Sequence, residues 1–358
     1  MRKKAIFLFV LALVGTASQG PTSQGPTSQG PIQNPRTYLF TFKVLTLNTW
    51  LLQGLLGIGA APDRHCRGQD IGLSVGTGDY DVVVLQEIFD KGPSDALYCG
   101  AGAAGVCASV CRDKSFRSRY RNVCDPSNAG RLVYPYHQRR YPLGKGLEIN
   151  GGLGILSKYP ILFQHNEPWR DCGGVDCFAQ KGFFHARVKH PLLDVPLEIM
   201  TLHANANYGG GAKYENARRL ELMQARNELD RYPNAPWIVA GDFNIVGTPC
   251  SGEACEDVPE YFTLKAALPE FEDAWAVLHP SEYGFTADDR ANGNRSGSRQ
   301  ERIDYVWSTD AGTCYELEVA DARVEQFKST ICSSPNSSDH FGVGVTYKVY
   351  RRGHSAVS

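Results

Sequence analysis

Trp237-Ile-Val-Ala-Gly-Asp-Phe-Asn244 joins an apolar run to two oxygen-bearing side chains, and this junction decides how the chain is read. Residues 237–240 have the length and composition of a buried strand, closed by Gly241. Asp242 and Asn244 stand two residues apart, so in extended backbone both side chains face the same way. One carboxylate and one neutral oxygen suit a hard cation such as Mg²⁺. An Asx turn that closes a strand accounts for the same residues without any ligand.

Outward from this stretch the pattern repeats. Residues 42–47, 82–85, 153–156, 183–188, 197–202, 303–307 and 343–349 are short β-rich runs between turns, the mark of packed sheets. Residues 214–231 read as a helix, with Leu220, Met223 and Leu229 set among alanine, glutamate and arginine and with Pro233 as its stop; 261–268 read as a shorter one. Asn48, Glu87, His203, Asp242, Asn244, Asp304, Asp339 and His340 fall at or just beyond the C-terminal ends of the runs, where a sheet offers side chains to a shared cleft.

Taken singly, each of these residues has an ordinary explanation. Glu87 ends the run Asp81-Val-Val-Val-Leu85 after Gln86, where a carboxylate is costly to bury unless it is paired or binds metal; a solvated strand end serves as well. Asn48, in Leu45-Thr-Leu-Asn-Thr-Trp50, is placed alike. His340, in Ser338-Asp-His-Phe341, is flanked by a carboxylate and titrates near working pH, which suits a general base and equally an ordinary surface pair. His203 and Asp304 divide the same way, Asp304 being a candidate ion-pair partner for a nearby arginine.

The whole chain sets the context. Met1-Arg-Lys-Lys4, an apolar run to Val14 and Gly15-Thr-Ala17 make a secretory signal over 1–17, too short to span a bilayer. Ser18-Gln-Gly-Pro-Thr repeats through 18–36 as a coreless spacer; 37–350 read as one globular domain and 351–358 as a tail. Export favours disulfides among the eleven cysteines, with Cys172–Cys177, Cys250–Cys255 and Cys314–Cys332 as local pairs and an odd one left among Cys66, Cys99, Cys107, Cys111 and Cys124. A net charge of −1 argues against grip on nucleic acid by bulk electrostatics.

In order and context, these segments resemble the endonuclease/exonuclease/phosphatase superfamily over residues 42–348. Asp81-Val-Val-Val-Leu-Gln-Glu-Ile-Phe-Asp90, Gly151-Gly-Leu-Gly-Ile-Leu-Ser-Lys-Tyr-Pro-Ile161 and Asp176-Cys-Phe-Ala-Gln-Lys-Gly-Phe183 are similar to segments of its neutral sphingomyelinases. The resemblance implies an α/β fold: a four-layer α/β sandwich of two packed mainly antiparallel sheets flanked by helices, deoxyribonuclease-like. It implies a secreted Mg²⁺-dependent phosphodiesterase, with Mn²⁺ or Co²⁺ as substitutes, that cleaves sphingomyelin to ceramide and phosphocholine. Glu87 and Asn48 would hold the metal, and Asp242 and Asn244 would position water or bind a second cation. His340, oriented by Asp304, would be the base. His203 would bond the phosphate, Asp339 would complete the polar shell, and Lys181 would touch phosphate or headgroup.

The expected partner is a phospholipid at a membrane surface, met by a monomer without a transmembrane segment or a stable protein partner. Three departures stand out: residues 287–299 are polar where haemolytic relatives carry an aromatic hairpin, Lys91 stands where an edge-metal ligand is usual, and Asn150 where a carboxylate is common. A nuclease, a phosphoinositide phosphatase and a silent binding protein on the same scaffold are the rival readings, nucleic acid being a partner only under the first.

Overall fold

Val44 and Leu45 point to opposite faces of one strand and both are fully buried, so that strand must be covered on two sides. The computed structural model describes residues 36–54, 60–141, 150–247 and 259–353, which fall within one compact unit. In chain order its strands are β1 (Arg36–Asn48), β2 (Val82–Gln86), β3 (Tyr136–Tyr141), β4 (Leu153–Ser157), β5 (Ile161–Pro168), β6 (Gly182–Val188), β7 (Leu197–His203), β8 (Trp237–Gly247), β9 (Glu272–Asp273), β10 (Ala287–Asp288), β11 (Gln300–Thr309), β12 (Tyr315–Glu325) and β13 (Gly342–Arg352). The first sheet has the order β12-β13-β1-β2-β4-β3, and the second β10-β11-β8-β7-β6-β5 with β9 on β11. Only β1–β2 and β7–β8 are parallel among the described pairs.

Each face has its own core. Val44, Val84 and Ile155 of the first sheet meet Phe184, Ile199, Ile238 and Val306 of the second. On the outer side of the first sheet, Leu45, Val83 and Leu85 pack on Ile71 and Val75 of α1 (Arg64–Thr77) and Leu97 of α2 (Lys91–Gly100). On the outer side of the second, Met200, Val239 and Trp307 pack on Leu222 and Leu229 of the helix Ala212–Leu229 and Leu264 of the helix Pro259–Ala267. The result is the expected four-layer α/β sandwich.

All eight runs read as strands lie in strands, and both helices are found, beginning two residues earlier than the sequence placed them. Five residues need correction: Asp242, Asn244 and Asp304 lie inside β8 and β11 rather than at strand ends, and Asp339 and His340 precede β13 rather than closing a strand. Cys172–Cys177 is a disulfide as expected, but Cys332 pairs with Cys66 instead of Cys314. The eleven residues of β12 carry the chain roughly 35 Å away from Cys314 at strand rise, and the segment that follows places Cys332 beside Cys66 on α1. Cys99–Cys107 and Cys111–Cys124 complete the set, and Cys314 is the free thiol among the described cysteines. The signal, nearly all of the spacer and the Cys250–Cys255 pair lie outside the described residues. No described helix is long and apolar enough to cross a membrane.

Candidate active site

Two parallel strand pairs bring the first polar groups together. Asn48 ends β1 opposite Gln86, and Glu87 follows with φ of 58, a left-handed conformation that turns its side chain out of the strand. In the other sheet, His203 ends β7 directly opposite Asp242. Gly241 allows that approach, since a Cβ there would lie 2.1 Å from the Leu202 carbonyl oxygen. Gln86 ties the sheets, donating to Thr201 Oγ1 at 2.9 Å.

Asn48 is the bridge at the centre. Its Nδ2 donates to Glu87 Oε1 at 3.1 Å and Asp242 Oδ2 at 2.9 Å, and its Oδ1 accepts the Trp50 amide at 3.1 Å. His203 Nε2 stands 3.5 Å from Asp242 Oδ2 and 3.9 Å from Glu87 Oε1. Its Nδ1 is buried without a partner, and burial holds the ring well below the ordinary imidazole range. Asn150 accepts the Gly152 amide and donates to the Phe89 carbonyl.

The second cluster faces the first. His340 Nδ1 lies 2.8 Å from Asp304 Oδ2, and Asp304 pairs across the β8–β11 ladder with Asp242. Burial favours a neutral His340, but Asp304, Asp339 and Asp242 outweigh it and raise the pKa to about 10. Asp242 is pushed up to about 7, by burial first and by Asp304 next. Glu87 is also raised, by burial and by Asp339. One donor atom each of Asp242, Asp304 and His340 lie within 4.8 Å of one another.

Lys181, expected to touch phosphate or headgroup, is buried, with Nζ 2.7 Å from Asp176 Oδ2 and 3.3 Å from the Ala204 carbonyl. Burial opposes its charge, yet Asp176, Glu87 and Asp242 together raise its pKa. Asn244 Nδ2 reaches the same Ala204 carbonyl at 3.0 Å. It does not share a face with Asp242 in simple alternation, because its φ is 51 and its amide bonds Asp242 Oδ1 at 2.9 Å. The Asx turn and the cleft position are therefore both real.

Asp339 is paired with Arg295, 2.5 Å away, while its Oδ1 and Asp304 Oδ1 are buried without partners. Unused oxygens on buried Asp304 and Asp339, beside Glu87 and Asp242 whose pKa values burial raises, are the donor set a hard divalent cation fits. Sequence reading missed the supports of this edge. Ser338 Oγ donates to the Asn48 carbonyl at 2.6 Å, and Asn292 and Asn294 both donate to the Ser338 carbonyl. Asn292 and Asn294, like Arg295, come from the 287–299 stretch, whose clustered asparagines were the available signal.

Comparison with known proteins agrees with this geometry. The model of the Endonuclease/Exonuclease/phosphatase family matches residues 45–340. Sphingomyelinase C of Bacillus cereus is 23% identical over 273 residues, 74% of each chain. Inositol phosphosphingolipids phospholipase C of Schizosaccharomyces pombe is 25% identical over 334 residues, 84% of this chain and 67% of that one. Among solved structures, Staphylococcus aureus beta toxin with bound magnesium ions aligns over 86% of this chain and 100% of its own, with a TM-score of 0.59 at 17% identity.

Proposed function

Since the chain belongs to the endonuclease/exonuclease/phosphatase family and is a phosphoric diester hydrolase, we propose that it is a secreted, Mg²⁺-dependent sphingomyelinase C that releases ceramide and phosphocholine. The observation that carries the chemistry is the His340–Asp304 pair set beside the Asn48, Glu87 and Asp242 cluster, with donor atoms of Asp242, Asp304 and His340 within 4.8 Å of one another. The lipid substrate draws its support from the sphingolipid-cleaving relatives, and export from the N-terminal signal and the disulfides.

Glu87, with Asn48 beside it, would hold the cation. When bound, it supplies positive charge against a non-bridging phosphate oxygen and against the imidazolium form of His340. Asp304 fixes Nδ1 of His340, which leaves Nε2 to take a proton from the attacking water, a contribution of roughly 10²–10⁴ in rate. Asp242 and Asn244 position that water. His203, held neutral by burial, donates one hydrogen bond to the phosphate. Lys181, a charged group inside a low-dielectric cleft, stabilises the phosphate without rearrangement. Asp339 closes the polar shell.

Purified protein with Mg²⁺ is offered sphingomyelin vesicles, plasmid DNA and phosphoinositides in parallel, with and without excess chelator. Released phosphocholine that chelator abolishes is the expected result. Strand nicking or inorganic phosphate without phosphocholine would overturn the substrate, and full turnover in chelator would overturn the metal.

A further inference from the structure

We propose that Arg67 is a positioning residue for the candidate active site, a buried brace between the loop that follows Asn48 and the loop that carries Asp339 and His340; the inference rests on the reading of the cleft given above. Arg67 lies in the first turn of α1 and is fully buried. Its guanidinium bonds main-chain carbonyls from both sides of the cleft. Nε donates to Pro62 at 2.9 Å, Nη1 to Thr49 at 3.1 Å and to Ser337 at 3.0 Å, and Nη2 to Trp50 at 2.6 Å.

Those carbonyls are the ones that set the site's spacing. Thr49 and Trp50 directly follow Asn48, and Trp50 has a φ of 49 that its surroundings must hold in place. Ser337 precedes Ser338, whose Oγ bonds the Asn48 carbonyl and accepts the His340 amide. One side chain therefore fixes the distance between the stretch that presents Asn48 and the stretch that presents Asp339 and His340. Its neighbours on α1 act on the same loop: Cys66 is joined to Cys332, and Asp70 accepts from Thr330 Oγ1 at 2.7 Å and from Ser337 Oγ at 2.6 Å. The Arg67 guanidinium also lies 4.6 Å from the Trp50 ring centre, and Arg295, the partner of Asp339, lies 4.9 Å from the same ring.

Packing alone does not call for an arginine here. Arg67 has no carboxylate within salt-bridge distance among the described residues, and a buried cation is costly to desolvate. An apolar side chain of similar volume would fill the space at least as well. What it would not do is hold four carbonyls in a planar fork.

Arg67→Lys, Arg67→Met and Asp70→Asn are compared with wild type by melting temperature, hydrogen exchange over residues 329–341, and kcat and KM on the substrate that wild type cleaves. Lysine keeps the charge but loses the fork. The expected result is a folded Arg67→Lys protein with faster exchange at 337–341, kcat lower by about 10- to 100-fold and KM almost unchanged. Folded Arg67→Lys with wild-type kcat overturns the proposal, whether or not exchange rises. If neither Arg67 variant folds, Asp70→Asn decides by the same two readouts, since it loosens the same loop with Arg67 in place. If wild type cleaves none of the substrates offered, the substrate reading fails separately, and unchanged exchange in Arg67→Lys would still overturn the brace.

Discussion

His340 carries two opposed pressures on its proton. Burial favours the neutral ring, three carboxylates favour the charged one, and the carboxylates win. Asp304 both aims the ring and supplies much of that charge, so Asp304→Asn is expected to lower the His340 pKa, read by NMR titration, and to reduce kcat. His340→Ala and Glu87→Ala are expected to cost at least roughly 10²-fold in rate while leaving the circular-dichroism spectrum unchanged. Full turnover by either variant would remove the assignment of both residues. At this scale the sequence revealed which residues gather in the cleft, but not how each is held. Alternation put Asp242 and Asn244 on one face, and a single left-handed torsion at Asn244 broke it. Nothing in the neighbours of Lys181 announces that its amine pairs with Asp176, five residues back.

At the scale of elements, what was legible follows burial. The strands missed were β3, β5 and β12 together with the two-residue β9 and β10, and β3, β5, β10 and β12 are the outermost members of the two sheets. An edge strand has less apolar surface to hide, so runs such as Tyr136–Tyr141 and Ile161–Pro168 carry polar residues that dilute the β signal. α1 was missed for another reason. Its Gly68, Gly72 and Gly76 lower helix propensity, yet they recur every four residues and let the α2 backbone lie against the helix. A Cβ on Gly72 would sit 2.4 Å from the Leu97 carbonyl oxygen. Glycine to alanine within a helix ordinarily stabilises by about 1 kcal/mol. Here overpacking against backbone reverses the sign, and Gly72→Ala is expected to destabilise by about 1–3 kcal/mol. A lower urea midpoint at unchanged slope would check it, and a raised midpoint would show that the helices can separate freely. Because α1 also carries Cys66, Arg67 and Asp70, a shift of this helix reaches the cleft as well.

For the molecule as a whole, two buried titratable groups outside the cleft limit stability from opposite sides. His190 follows β6 of the second sheet and stacks on Phe40 of the first, ring centres 3.5 Å apart, with Tyr159 against its edge. Burial lowers its pKa from 6.5 to about 4, and its Nδ1 accepts the Leu192 amide, a bond only the unprotonated nitrogen can make. The unfolded chain therefore binds this proton more readily than the folded one, so stability from His190 falls as pH drops below 6.5 and is fully lost below about 4. Glu221 acts in the other sense. Buried on the helix Ala212–Leu229, where it accepts the Asn205 amide, it has a pKa raised from 4.5 to about 8, chiefly by burial. The folded state holds its proton more tightly, so its contribution declines as pH rises above 4.5 and is gone above about 8. Melting temperature is thus expected to slope downward on both sides of mildly acid pH. His190→Phe should flatten the acid arm alone, by keeping the stack and removing the titration. Glu221→Gln should make the neutral-to-alkaline arm shallower and leave the acid arm unchanged, since an amide keeps an acceptor for Asn205 and has no proton to lose. If both variants track the wild-type curve at every pH, neither group governs how the sandwich tolerates acid or base.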